Sequence, residues 1–90
     1  MTQKETVLYT LADMVKDIPQ PTSYSFIPRE LILRLPMEWS DIYTCLSVLA
    51  EEGAVQILHA DTIQFSITEK GLALSKSFAV GKQNNHSSII

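Results

Sequence analysis

The feature that most restricts this 90-residue chain is a change of hydrophobic period at Gly53. Upstream of it, apolar residues recur at spacings of three and four. Downstream, Val55 and Ile57 alternate with Gln56 and Leu58, and Ile63, Phe65 and Ile67 alternate with Gln64 and Ser66. A helix brings residues three and four apart onto one face, whereas a strand sends successive side chains to opposite faces. The chain therefore passes from helix to strand at the glycine. The short polar run Ala60-Asp61-Thr62 between the two alternating stretches predicts a hairpin with one face on the core.

Three helices are predicted ahead of the glycine. Thr2-Gln3-Lys4-Glu5 has capping-box spacing, and Val7, Leu8, Leu11, Ala12, Val15 and Ile18 follow as one core-facing stripe. Pro19 and Pro21 stop that helix. Residues 20–26 read as a polar loop. A short second helix begins near Pro28, with Leu31, Ile32 and Leu35 inward and Arg29 and Arg34 in solvent, and Pro36 ends it. The third runs from about Glu38 to Glu52, with Ile42, Leu46 and Leu49 within about 60° of one another on the helical wheel. Gly53 suits the left-handed residue that closes many helices.

After the hairpin, Thr68 is placed to cap a last helix reaching about Phe78. Residues 80–90 are polar and patternless and read as a flexible tail, leaving one domain over residues 1–79. The predicted class is mainly α with a small β-hairpin (α+β), in the order α-α-α-β-β-α. An apolar fraction of 46% with 19% charged residues fits a globular domain and excludes a wholly disordered chain. No uninterrupted apolar run of 18 residues occurs, so no membrane span is expected, and the N-terminus lacks the layout of a signal peptide. The single cysteine, Cys45, has no partner for an internal disulfide, which points to a reducing, cytoplasmic setting.

Two segments resemble a known family. Leu46-Ser47-Val48-Leu49-Ala50-Glu51-Glu52-Gly53-Ala54-Val55 is similar to the L-x-x-L-x-x-x-G-x-V end of a winged-helix recognition helix entering its first wing strand. Phe65-Ser66-Ile67-Thr68-Glu69-Lys70-Gly71-Leu72-Ala73-Leu74 resembles the strand and T-x-x-G turn that close the wing in MarR-like and PadR-like regulators. In that order, with a hairpin between them, they make residues 3–78 resemble the winged helix-turn-helix superfamily. The resemblance implies a DNA-binding transcriptional regulator acting as a homodimer. The third helix would enter the major groove and the wing would touch backbone or minor groove.

On that reading Ser40, Tyr43, Thr44 and Ser47 face the groove, opposite the core stripe, while Arg29, Arg34 and Lys70 lie on phosphates. Tyr9, Leu74 and Phe78, on the first and last helices, are the candidate dimer contacts; a domain this small buries only about 60% of its unfolded surface and gains from a partner. Charge weighs against DNA. The formal net charge is −3, and no Lys or Arg lies between Arg34 and Lys70, a span holding Glu38, Asp41, Glu51, Glu52, Asp61 and Glu69. Carboxylates repel phosphates and weaken the sequence-independent part of DNA binding. The alternative is a winged-helix adaptor that turns its acidic third helix and wing to a basic protein.

No catalytic constellation is visible, and the chain reads as a non-enzyme without metal or cofactor. His59 and His86 have no partner at metal-ligand spacing, and no glycine-rich phosphate loop occurs. Cys45 sits beside the core stripe and reads as a small buried hydrophobe. Asp13 and Asp17 share a helix face but have no apolar surroundings to raise a pKa.

Overall fold

The computed structural model describes residues 2–77. Helix α1 covers Gln3–Met14, α2 Pro28–Arg34 and α3 Trp39–Glu51. Strands β1 (Val55–His59) and β2 (Ile63–Ile67) pair antiparallel, with Val55 opposite Ile67 and His59 opposite Ile63. A last helix, α4, occupies residues 69–77. The element order and the hairpin turn at residues 60–62 are those expected; Phe78 and the tail lie outside the described residues.

Each boundary has a local cause. At the start of α1, Thr2 Oγ1 accepts from the Glu5 amide at 3.1 Å and Glu5 Oε1 accepts from the Thr2 amide at 2.8 Å, a complete capping box. The helix ends at Met14, one turn short of the expected Ile18. The Pro19 ring would collide with the carbonyl of Val15, four residues back, so the last turn unwinds. Val15 nevertheless stays fully buried, held in a tight turn by the Ile18 amide bonding the Val15 carbonyl at 3.0 Å. At the far end of α3, Gly53 adopts φ +80°. Its amide donates to Ala50 O at 3.0 Å and the Ala54 amide donates to Leu49 O at 2.9 Å, the paired bonds of a Schellman motif.

One core joins all the elements. Val7, Leu8, Leu11 and Val15 of the first helical segment meet Leu31 and Leu35, the Ile42/Cys45/Leu46/Leu49 face of α3, and Val55, Phe65 and Ile67 of the hairpin. Burial and the nearby Asp41 carboxylate push the Cys45 thiol up, so it stays protonated in the core.

Three sequence expectations are corrected by the packing. Ile32 is 48% exposed, not inward, and its neighbour Leu33 is 75% exposed. In a seven-residue helix, Leu31 and Leu35 at i and i+4 define the inward line, and Ile32 is turned about 100° away from Leu31. Residues 20–26 are not merely a polar loop. They contain a 3-10 turn, Pro21–Ser23, and end in Phe26, which is fully buried and bridges β2 through reciprocal bonds with Phe65 (2.6 and 3.0 Å). A single apolar residue has no period, so the sequence does not show it. Phe26 covers the edge of β2 that β1 leaves open. Phe65, Ser66 and Ile67 are consequently all buried, and the expected alternation fails at Ser66.

Candidate nucleic-acid interface

The outward side of α3 is set by its inward one. Since Ile42, Cys45, Leu46 and Leu49 are buried, Ser40, Tyr43 and Thr44 are left exposed and Ser47 half-buried. At i, i+3, i+4 and i+7 these four form one stripe along the helix, together with Val48 and Glu51 at its margins. The stripe is hydroxyl-rich. Thr44 Oγ1 donates to the Ser40 carbonyl at 2.9 Å, which fixes that hydroxyl and leaves its oxygen free to accept. Tyr43 is steadied by Trp39, whose ring centroid lies 5.9 Å away, and Trp39 in turn meets Phe65 edge-on at 6.0 Å. This chain of rings links the α3 surface to the base of the wing.

The basic candidates separate. Arg29 is exposed on α2 and makes no ion pair among the described residues. Arg34 is turned to α1, where its guanidinium lies 3.4 Å from Asp13 Oδ2; Lys16 takes the other oxygen at 3.2 Å. Lys70 lies over the end of α3: a Cβ built on Gly53 would be 3.6 Å from its Cδ and 3.9 Å from its Nζ. A cation there complements the negative end of the α3 dipole.

Folding changes the charge balance read along the sequence. Glu52, counted among the six acids of the α3–wing span, is paired with Lys4 of α1 at 2.7 Å. Lys70 comes in close to Gly53, the residue that follows Glu52. The acidic span is thus partly neutralised by Lys4, a base far away in sequence, which a count between Arg34 and Lys70 omits. At the wing, His59 and Asp61 are exposed, and so is Leu58, at 38%.

The dimer candidates fall on different surfaces. Tyr9 is 40% exposed and lines a groove of about 380 Å³ with Val15, Leu72 and Ser75, between α1 and α4. Leu74 is half-buried and lines a second cleft of about 280 Å³ with Leu8 and Leu49. Phe78 is outside the described residues. Among the described residues no group of three or more His, Cys, Asp or Glu is arranged to hold a metal ion, and no helix is long and apolar enough to cross a membrane.

No family model matches this chain, and no curated protein does. Solved structures do. Lactococcus lactis ZitR, a zinc-responsive MarR family member, aligns at 18% identity over 99% of this chain and 58% of its own, with a TM-score of 0.64. The MarR family transcriptional regulator SPO1453 from Silicibacter pomeroyi DSS-3 aligns at 17% identity over 96% and 57%, with a TM-score of 0.66. NMB1585, a MarR family regulator from Neisseria meningitidis, aligns at 17% over 99% and 60%, with a TM-score of 0.65. The chain therefore spans about three-fifths of the length of the regulators it matches. Likeness to transcriptional regulators gives no support to the case against DNA made from charge alone. The helical core, the two-stranded wing and the closing turn at Thr68–Gly71 give this chain the winged helix-turn-helix fold found in the MarR-family regulators.

Proposed function

We propose that the chain is a non-catalytic, winged-helix transcriptional regulator that binds duplex DNA through α3. Ser40, Tyr43, Thr44 and Ser47 face the major groove, Arg29 and Lys70 grip phosphates, and Arg34 joins them when released from Asp13. The observation that carries this reading is the stripe at positions 40, 43, 44 and 47, an unbroken polar face on the helix that this fold projects. Hydroxyls serve both base edges and phosphate oxygens. A partly acidic surface with few cations gives weak non-specific affinity, so sequence contacts would dominate discrimination.

Active protein would be a homodimer in the cytoplasm, with Tyr9, Leu74 and Phe78 as contacts. Light scattering after gel filtration should then return twice the 10.1 kDa chain mass. A monomer mass at every concentration overturns the dimer.

The DNA reading is tested by titrating a labelled mixed-sequence duplex at about 50 mM salt and then raising the salt. Binding on the order of 1–100 µM that falls steeply with salt is expected. Replacing Arg29 and Arg34 together with Ala should weaken it further. No detectable binding at low salt rejects the reading.

A further inference from the structure

Helix α2 carries more apolar surface than its inward face uses. Leu31 and Leu35 fill the core at 0% and 5% exposure, yet Ile32 and Leu33, turned about 100° and 160° away from Leu31, are 48% and 75% exposed. Arg29 precedes them by three and four residues, so all three share one face spanning about 100° of the helix. Scattered exposed leucines are ordinary, but a helix apolar on two sides is normally covered on both. Leu33 contributes nothing to the core and nothing to phosphate recognition, which uses cations and hydrogen-bond donors.

The charge on this face is one-sided. Arg29 has no ion pair among the described residues. The one acid of α2, Glu30, is already engaged: it accepts from the Ile27 amide at 3.1 Å and from the Tyr24 hydroxyl. Those bonds hold the carboxylate against the loop before the helix, away from Arg29.

We infer that the Arg29/Ile32/Leu33 face of α2 is a docking surface for an acidic amphipathic helix of a partner protein. Aliphatic side chains of the partner would cover Ile32 and Leu33, and a carboxylate would take Arg29. Burying two branched side chains and one charge pair forms a small hot spot, and it fits a transient contact rather than a permanent assembly.

The test uses the full chain and a fluorescein-labelled 18-residue peptide with Leu at i, i+3, i+4 and i+7 and Glu at most other positions. Saturable binding by anisotropy, with Kd on the order of 10–100 µM, is expected. A scrambled peptide of equal composition should bind at least about tenfold more weakly. Leu33→Gln, which removes the apolar contact without adding charge beside Arg29, should weaken binding by a similar factor, while its circular dichroism melt and its duplex affinity stay at wild-type values. Arg29→Ala should weaken both peptide and duplex binding, since that side chain serves both surfaces. Absence of saturable binding, equal binding of the scramble, or full binding by Leu33→Gln overturns the inference. So does loss of duplex affinity in Leu33→Gln, which would assign the face to DNA. Because Leu33 has no part in the DNA reading, failure here leaves that reading standing.

Discussion

The Thr68 hydroxyl donates to the Gly53 carbonyl oxygen at 2.6 Å and accepts from the Gly71 amide at 3.0 Å. One side chain thus caps α4 and fastens it to the turn that ends α3. The Thr68 amide adds a bond to Ala54 O at 3.0 Å. The wing is closed at its base by these contacts. Thr68→Ala should cost about 1–2 kcal/mol, the usual loss for a helix cap, with Thr68→Ser retaining most of it. Urea denaturation of the three proteins checks this, and equal midpoints for Ala and Ser would refute the hydroxyl's role.

Gly71 offers a sharper test because its sign is reversed. In most helices Gly→Ala stabilises by about 0.5–1 kcal/mol. Here an added Cβ would run into the Ala54 carbonyl oxygen and lie 2.8 Å from Ile67 Cγ1. Neither the backbone of the turn nor a fully packed Ile67 yields cheaply, so Gly71→Ala should destabilise by about 1–3 kcal/mol. A raised melting temperature for this variant contradicts the close approach.

These two residues also explain what the sequence made legible. Thr68 and Gly53 each meet a backbone requirement (a cap, a left-handed turn), so residue type alone reveals them, whereas the close approach at Gly71 shows only in the fold. The hydrophobic periods of α1, α3 and the hairpin were readable for a related reason: many residues repeat one geometric rule. Phe26 obeys no such rule. Its burial comes from a partner 39 positions away, and nothing beside it in sequence signals that bridge. Ile32 was misread because seven residues are too few for periodicity to select between two apolar faces. The outward stripe on α3 follows directly from the core stripe, whereas the pairings Lys4–Glu52 and Arg34–Asp13 join segments whose approach only folding supplies.

The capping box of α1 makes stability depend on acid. Hydrogen bonding to the Thr2 backbone, the largest influence, holds the Glu5 carboxyl below its ordinary value of 4.5 despite some desolvation. A depressed folded value stabilises fully above the ordinary carboxylate range, and the contribution is lost as pH falls through the folded value. Glu5→Gln should therefore melt below wild type at pH 7, and the gap should narrow toward pH 3. Thermal melts by circular dichroism across that interval provide the check; a gap that stays constant with pH removes the carboxylate's part.

DNA binding should weaken as salt rises, with a slope set by the cations that reach phosphate. Each phosphate neutralised contributes about −0.9 to the slope of log K against log salt, so Arg29 and Lys70 give about −1.8 per copy, and Arg34 would bring it to about −2.7 once released from Asp13. Arg29→Ala and Lys70→Ala should each reduce the magnitude by about one and weaken binding across all sequences. Arg34→Ala should do less, because Asp13 already holds that guanidinium at 3.4 Å. Asp13→Asn then becomes the informative variant. It frees Arg34 without adding a charge to the α3 surface, so affinity and slope should both rise if Arg34 reaches phosphate. Ser40→Ala and Thr44→Ala should leave the slope alone and change only the preference between sequences, since hydroxyls release no counterions. Should Ser40→Ala and Thr44→Ala leave the preference between sequences unchanged, α3 would not be the helix in the groove.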